Sequence, residues 1–268
     1  MTHPTLAFIG GGNMAGAIIS GLVRSGWPAA AITVVEPWAE QRARIAAAVP
    51  GLRVLGAADA SLSGAQIVVW AVKPQSFAQA AAPCAGLVGG ALQLSVMAGI
   101  RCDALVRASG SQRVVRAMPN TPALIGLGIA ALFARPVVTD DERAAVTQVL
   151  APTGSLLWVA QEEQLDAVTA LSGSGPAYVF FFIEAMVEAG TQMGLPAEQA
   201  RRLAQETFAG AARLAMQSDE SPALLRERVT SKGGTTDAAI ASMEASQVKA
   251  AFVKAMHAAR TRAQELGR

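Results

Sequence analysis

The stretch Phe8–Ile18, FIGGGNMAGAI, decides the fold of the first part of the chain. It places Gly10-x-Gly12-x-x-Ala15 directly after a short apolar strand and at the start of a helix. In this context the first glycine permits a tight turn, and the second lets the backbone approach a pyrophosphate. The small third residue allows close packing of helix on strand, and the helix N-terminus favours negative charge. The stretch predicts a dinucleotide-binding turn, and a bare structural turn is the alternative.

Strand and helix signals alternate from this stretch onward. Strands are predicted at TLAFIG, AITVVE, AQIVVWAV, ALQLSVMAG and QRVVRAMPN, and later additions that would suit an antiparallel direction at LIGLGIAALFA and GSLLWV. AQIVVWAV is a continuous apolar run, which is typical of a strand buried on both faces. Alternation of strands and helices predicts a parallel sheet with right-handed crossovers. The predicted fold class is therefore α/β, with a Rossmann dinucleotide-binding domain in residues 1–160.

Strand signals stop after Val159, and six helical segments follow, from EEQLDAVTALSG to SQVKAAFVKAMHAARTRAQEL. Ser221 and Pro222 provide an N-cap and a first-turn proline, and Gly194 is a helix stop. The segment GPAYVFFFIEAMVEAG is apolar around most of its circumference, more than one small helical domain can cover. Residues 161–268 are therefore predicted to form an all-helical dimerisation domain.

Composition argues against several classes of partner. Hydrophobic residues make up 52% of the 268 residues, charged residues 16%, and the net charge is +2, which does not favour a nucleic-acid partner. The longest apolar run, PAYVFFFIEAMV, is too short for a bilayer and contains Glu184, so no membrane partner is expected. The N-terminus has no basic region followed by a cleavage site, which favours a cytoplasmic protein. Cys84 and Cys102 have no metal-ligand spacing, and either buried thiols or a disulfide would suit them.

Two charged residues follow predicted strands. Glu36 ends the second strand, where an acidic residue accepts hydrogen bonds from the adenosine ribose and favours NADH over NADPH. A solvated loop carboxylate is the alternative, and Arg42 and Arg44 lie close enough to counter its charge. Lys73, in AVKPQ, is a candidate catalytic acid or a positioning group. Cofactor preference and the role of Lys73 both remain open at this point.

The stretch Thr230–Glu244, TSKGGTTDAAIASME, places two glycines and several hydroxyl residues between two helices. It fits either a binding loop or a helix–helix turn with a threonine cap. No strong acid or base accompanies it. The chain has two histidines, His3 in the N-terminal segment and His257 in a helix, where a surface or interface position is expected.

Three segments in this order make the sequence specific: RAMPNTPALIGLG, LSGSGPAYVFFFIEAM and VTSKGGTTDAAIASME. Together with FIGGGNMAGAI and AVKP they closely resemble the pyrroline-5-carboxylate reductase family, over essentially the whole chain. The resemblance implies a Rossmann domain followed by a helical domain that dimerises, with the active site between the cofactor domain and the dimerised helices. It implies reduction of the C=N bond of 1-pyrroline-5-carboxylate with NADPH (NADP) or NADH (NAD) to L-proline, without a metal. The implied assembly is a homodimer, which a ring such as a decamer would extend.

The resemblance also assigns roles to individual residues. It implies that Thr236 orients the imine at the ring nitrogen, within a substrate loop of Ser231, Gly233, Gly234, Thr235 and Thr236, whose glycine N–H groups would bind the carboxylate. The cofactor residues implied are Ile9, Gly10, Gly11, Gly12, Asn13, Met14, Ala15, Glu36, Ala71, Val72, Lys73, Pro74, Val96, Met97 and Ala98.

This chain departs from the family pattern at two places. Glu36 stands where members that prefer NADPH tend to carry a small hydroxyl residue. Lys232 and Thr235 stand where many relatives carry proline and alanine, which alters the loop but keeps its glycines.

Two other functions fit parts of the sequence. β-Hydroxyacid dehydrogenases share a similar first domain and a helical second domain, but use a helix lysine in a G-x-x-x-K context. Lys232, Lys249 and Lys254 are the C-terminal candidates, and none lies in such a context. A non-catalytic NAD(P)-binding sensor is the third possibility, and the intact substrate loop argues against it.

Overall fold

One mixed sheet organises the N-terminal part of the chain. The computed structural model describes residues 3–267, and across them eight strands form one sheet. The strands are β1 (Leu6–Ile9), β2 (Ile32–Val35), β3 (Arg53–Leu55), β4 (Ile67–Trp70), β5 (Leu92–Ser95), β6 (Val114–Met118), β7 (Gly128–Ala134) and β8 (Gly154–Trp158). Their order is β3-β2-β1-β4-β5-β6-β7-β8. The strand order therefore reverses at β1 and β4, as in dinucleotide-binding sheets, and the predicted Rossmann fold is confirmed.

The last two strands run against the first six. Neighbouring strands from β3 to β6 are parallel, whereas β7 is antiparallel to β6 and β8 is parallel to β7. The antiparallel direction predicted for both additions is therefore correct relative to β6. The segment LIGLGIAALFA is only partly strand, because Thr121–Ile125 forms a 3-10 turn before β7 begins. β3 was not predicted, because it is three residues long and none of them is fully buried.

Helices cover both faces of the sheet. They are α1 (Asn13–Arg24), α2 (Ala39–Ala48), α3 (Phe77–Ala81), α4 (Cys102–Ser109), α5 (Asp140–Leu150) and α6 (Gln164–Val168). On one face Phe8 packs in a cluster with Ile18 of α1 and Val149 of α5. On the other, Trp70 packs in a cluster with Leu105 of α4. Complete burial of a large apolar side chain stabilises the fold by about 1.5–3 kcal/mol. Because successive side chains of a strand point to opposite faces, the sheet has a separate apolar core on each face.

Both cysteines are buried free thiols. Burial raises the pKa of Cys84 to about 11. Burial, together with the nearby Glu162 carboxylate, raises the pKa of Cys102 to about 12. The thiols are therefore neutral at physiological pH, and of the two alternatives left by the sequence the buried thiols are correct.

The chain divides into two compact units. The first runs to Ser174 and includes the chain again from Ala259, and the second is Gly175–Ala258. The sequence boundary near residue 160 marks the end of the strands, since β8 ends at Trp158. The compact units divide later, because α6 and the turn after it belong with the sheet.

The second unit consists of helices. They are α7 (Gly175–Gln192), α8 (Ala197–Gln217), α9 (Pro222–Arg228), α10 (Thr235–Ala245) and the first part of α11 (Val248–Leu266). α9 begins with the predicted cap, in which Ser221 Oγ accepts a hydrogen bond from Leu224 N–H at 3.3 Å. Large apolar side chains of this unit remain exposed in the single chain, among them Val179, Phe180, Phe181, Met186, Leu203, Leu214, Met216, Met243 and Val253.

One helical run in the described part of the chain, Gln164–Gln192, is long and apolar enough to cross a membrane by length and composition. Only 6% of its most apolar window is buried within the chain. A helix that packs against a second subunit has the same composition and the same exposure in an isolated chain.

Candidate cofactor and substrate site

The predicted cofactor residues lie at one edge of the sheet. β1, β2, β4 and β5 are parallel, so their carboxyl ends meet at the same edge. The turn after β1 carries Gly10–Ala15, and Glu36 follows β2. Ala71–Pro74 follow β4, and Val96–Ala98 follow β5. Four separate segments of the sequence therefore line the carboxyl edge, where ligands bind in open α/β sheets.

Close packing of the turn requires a glycine at position 10, and it places Gly11 against α2. Gly10 has a φ of +99°, and a Cβ there would lie 2.8 Å from the carbonyl oxygen of Ala71. Its N–H donates to the carbonyl of Val35 at 2.9 Å. A Cβ on Gly11 would collide with Cδ1 of Ile45. Gly10 thus lets the turn pass between the ends of β2 and β4.

Gly12 is different, because a Cβ there would meet no atom within 4 Å. It is the N-cap of α1, with a φ of −72° and no capping side chain. The first N–H groups of a helix have no partner within the helix and bind anions favourably. The space that a side chain would fill therefore fits the pyrophosphate of a dinucleotide, as the sequence predicts.

Glu36 is a buried residue of the turn, with 9% exposure. Its Oε2 accepts from Gly11 N–H at 2.9 Å, and its Oε1 accepts from Trp38 N–H at 3.0 Å. The solvated-carboxylate alternative is therefore wrong. The carboxylate braces the glycine turn and the β2–α2 turn at the same time.

Arg42 and Arg44 do not pair with that carboxylate. Arg42 Nη1 donates to the backbone carbonyls of Glu36 at 3.0 Å and of Pro37 at 2.7 Å. Arg44 lines a groove of about 330 Å³ that borders Gly12. The two guanidinium groups therefore place positive charge near the glycine turn without neutralising Glu36 through an ion pair.

Lys73 is exposed and precedes a short 3-10 turn, Pro74–Ser76. Ser76 N–H donates to its carbonyl at 2.9 Å, so its backbone is fixed while its side chain faces solvent. After β5, Val96 N–H donates to Trp70 O at 3.1 Å and Met97 is 3% exposed. These segments form the walls of the carboxyl edge.

The loop Ser231–Thr236 is held by its own hydrogen bonds. Gly233 has a φ of +75°, and its N–H donates to Oδ2 of Asp237 at 2.9 Å. Gly234 N–H donates to the carbonyl of Ser231 at 2.9 Å. The expectation that these glycine N–H groups are free for a substrate carboxylate is therefore wrong.

The first turn of α10 contains N–H groups that have no partner within the helix. Gly234 is the N-cap, and Ala238 N–H makes the first intrahelical bond, to Gly234 O at 3.1 Å. The N–H groups of Thr235 and Thr236 precede it and are open to an anion. The hydroxyl-bearing Ser231 and Thr235 are exposed, and Thr236 is half-buried.

Sequence reasoning missed the role of Asp237. Its position three residues after the N-cap is a known helix-start signal, because a side chain there can reach back to the backbone before the helix. Here it shapes the loop that contains Gly233.

Two of the three family segments meet in the first unit. Asn120, in MPNTP, accepts from Ile129 N–H at 3.0 Å and donates from Nδ2 to Ser172 O at 3.1 Å. A Cβ on Gly173 would lie 2.6 Å from Cε of Met118. The residues between α6 and α7, Thr169–Gly173, form a π-helical turn, an irregularity found frequently at functional sites.

Buried ion pairs fasten the same region. Arg116, 3% exposed on β6, donates to Oε1 of Glu162 at 2.7 Å, and Cys102 N–H donates to the same oxygen at 2.8 Å. Arg101 donates to Asp166 at 2.7 Å. Such distant pairings cannot be read from local sequence, and they hold the segment from Glu162 to Asp166 against β6 and the start of α4.

Metal-ligand clusters are absent from residues 3–267, where no group of three or more His, Cys, Asp and Glu side chains could hold a metal ion.

A Rossmann sheet with this glycine turn and an acidic residue after β2 defines the class as NAD(P)-dependent oxidoreductases. Residues 5–99 match the family described as NADP oxidoreductase, coenzyme F420-dependent, and residues 162–266 match pyrroline-5-carboxylate reductase dimerisation.

Similarity over the full length of the chain identifies the family. The pyrroline-5-carboxylate reductase of Pseudomonas aeruginosa is 45% identical over 99% of this chain and 98% of its own length. A Coxiella burnetii pyrroline-5-carboxylate reductase structure has a TM-score of 0.90 at 35% identity, with both chains fully covered. A Plasmodium falciparum pyrroline carboxylate reductase crystallised with NADP has a TM-score of 0.88 at 26% identity, again with full coverage. The chain belongs to the pyrroline-5-carboxylate reductase family.

Proposed function

We propose that this protein reduces the C=N bond of 1-pyrroline-5-carboxylate with a reduced nicotinamide dinucleotide and forms L-proline, the last step of proline synthesis. The observation that carries this function is the 45% identity to a pyrroline-5-carboxylate reductase over 99% of the chain. No observation favours the β-hydroxyacid dehydrogenase or the sensor, because the resemblance extends through both units and includes the substrate loop.

The nucleotide would be held by the carboxyl edge of the sheet. The pyrophosphate approaches Gly12 and the N-terminus of α1, and the adenosine ribose approaches Glu36. Ala71–Pro74 and Val96–Ala98 bound the remaining space along the strand ends. The bound nucleotide supplies the hydride. The cofactor is NADPH or NADH, and we infer from Glu36 that NADH is favoured.

The substrate would be held by the loop before α10. The N–H groups of Thr235 and Thr236 and the hydroxyl of Ser231 bind its carboxylate, while Gly233 and Gly234 keep the loop in its shape. Thr236 orients the ring nitrogen. The imine carbon is already electrophilic, so the protein's main contribution is to hold the reacting atoms about 3–3.5 Å apart.

The activity is tested by incubating the purified protein with 1-pyrroline-5-carboxylate and either NADPH or NADH. We expect oxidation of the nucleotide with equimolar formation of L-proline. A β-hydroxyacid in place of the pyrroline should support no turnover. Nucleotide binding without any turnover of the pyrroline would instead favour the sensor.

Self-association is indicated by the dimerisation match, and we propose a homodimer formed through the helices of residues 161–268, which a ring such as a decamer would extend. We expect light scattering at micromolar concentration to give at least the dimer mass.

Phe181 is 67% exposed in the single chain. Phe181→Ala should therefore raise the dimer dissociation constant about 10-fold, because it removes apolar area from the interface.

Trp38→Ala is the matched control for assembly, because Trp38 is also a largely exposed aromatic residue and lies in the other unit. It should leave the dimer mass and dissociation constant unchanged. An active monomer of the native protein at micromolar concentration would reject the dimer proposal.

Glu36→Ser is expected to raise the preference for NADPH over NADH about 5-fold, measured as the ratio of the two kcat/KM values. A carboxylate close to a 2′-phosphate costs on the order of 1 kcal/mol through like-charge repulsion. The substitution should also weaken NADH binding, since Gly11 and Trp38 lose their acceptor. Glu40→Ser, at an exposed acid in the first turn of α2, is the control and should leave the ratio unchanged. An unmoved ratio in Glu36→Ser would place Glu36 outside the ribose site.

The cytoplasmic location and the absence of nucleic-acid and membrane partners stay predictions from the sequence. They agree with a small-molecule enzyme of this family.

A further inference from the structure

Trp38 is an exposed aromatic residue at the adenosine end of the dinucleotide site. It is 75% exposed, whereas Trp27 is 6% exposed and Trp70 fully buried. One exposed aromatic side chain is ordinary on a protein surface, so its exposure alone indicates nothing. The position of Trp38 is informative, because it lies two residues after Glu36 and is the N-cap residue of α2.

The backbone that carries Trp38 is fixed from both sides. Its N–H donates to Oε1 of Glu36 at 3.0 Å, and Oε2 of the same carboxylate accepts from Gly11 in the glycine turn. Arg42 holds the carbonyls of Glu36 and Pro37. Trp38 O in turn accepts from Arg42 N–H at 3.0 Å. The indole is therefore presented from a rigid turn, which limits the entropy lost when it contacts a ligand.

The chemistry of a dinucleotide says what this indole would meet. An acidic residue at the position of Glu36 binds the ribose 2′-hydroxyl, and the adenine ring is joined to the neighbouring carbon of that ribose. Purine faces stack favourably on aromatic side chains. We propose that the Trp38 indole is the stacking platform for the adenine ring of the nucleotide. This inference rests on the proposed function, since it requires that the chain bind a nicotinamide dinucleotide.

Stacking on Trp38 differs from the discrimination assigned to Glu36. The indole is uncharged and contacts the base, which NADH and NADPH share. Glu36 responds to the 2′-position, where they differ. Trp38 therefore raises affinity for both nucleotides equally and leaves the preference between them unchanged.

The test separates the two halves of the nucleotide. ADP-ribose carries adenine and the pyrophosphate, and reduced nicotinamide mononucleotide carries neither adenine nor its ribose. By isothermal titration calorimetry, Trp38→Ala should weaken ADP-ribose and NADH binding about 5- to 20-fold and leave the mononucleotide unchanged. Trp38→Phe should restore most of the affinity, because it keeps an aromatic face. Equal ADP-ribose affinity in native protein and Trp38→Ala would overturn the proposal.

Tryptophan fluorescence provides a second measurement. ADP-ribose should quench emission of the native protein and of Trp158→Phe, a half-buried indole beneath the guanidinium of Arg143, but quench Trp38→Phe much less. Native quenching in Trp38→Phe would overturn the proposal that the Trp38 indole stacks on the adenine ring. Native protein that binds neither NADH nor NADPH would remove the proposed function itself, whereas intact binding with an unaffected Trp38→Ala removes only this inference.

Discussion

Gly12→Val is expected to weaken binding of NADH and NADPH by about 100-fold or more while leaving the fold intact. Gly12 has an extended backbone conformation that valine adopts without strain, and a Cβ there meets no atom within 4 Å. The added methyl groups would occupy the space through which a pyrophosphate reaches the N-terminus of α1. Loss of one or two charge-assisted hydrogen bonds, each worth about 1.5–3 kcal/mol, gives a change of this size.

Two further variants show whether that loss is local. Gly90→Val also adds a side chain into open space, but Gly90 precedes β5 at the opposite edge of the sheet, so nucleotide affinity should stay unchanged. Gly10→Ala should instead lower the melting temperature, because its Cβ would lie 2.8 Å from Ala71 O at a φ of +99°. Fluorescence titration and thermal denaturation of all three variants make the comparison. Native affinity in Gly12→Val would contradict the prediction that the pyrophosphate binds at this turn.

The strands that position this turn could be predicted because each carries its signal locally. β1, β2, β4 and β5 are short apolar runs bounded by turn residues, and the glycine turn links β1 to α1. β3 has only a three-residue, partly buried run, so no hydrophobic pattern marks it. α5 was not predicted, although Thr139 and Glu142 form a complete capping box at its start, which is a sequence signature of a helix N-terminus.

The site was less predictable than the fold, because its shape depends on contacts between distant residues. The position of Glu36 after β2 suggested a ribose ligand, but not that both carboxylate oxygens brace the turns around Gly11 and Trp38. The glycine pair suggested free N–H donors, yet Gly233 N–H is taken by Asp237. In both cases the residue type was informative, while the partner of each polar group was decided by the backbone geometry.

Thr236→Ala is expected to lower kcat/KM for 1-pyrroline-5-carboxylate about 10- to 100-fold. Thr236 is half-buried in the first turn of α10, and no residue in the described part of the chain hydrogen-bonds its hydroxyl, so the hydroxyl is available to the ring nitrogen. One positioning hydrogen bond of roughly 1.5–3 kcal/mol accounts for the expected range. Affinity for the nucleotide should remain nearly native, because the glycine turn and Glu36 are unaltered.

Neighbouring substitutions give this prediction its controls. Thr235→Ala keeps the backbone N–H and removes an exposed hydroxyl one residue away, so it should cost less than Thr236→Ala. Thr236→Ser keeps the hydroxyl and should retain most of the activity. The measurement is steady-state kinetics at saturating nucleotide, with kcat and KM separated. A loss well beyond 100-fold would mean that Thr236 also relays the proton to the ring nitrogen. Native kinetics in Thr236→Ala would show that the Thr236 hydroxyl does not orient the ring nitrogen, because the variant removes that hydroxyl and keeps the backbone N–H.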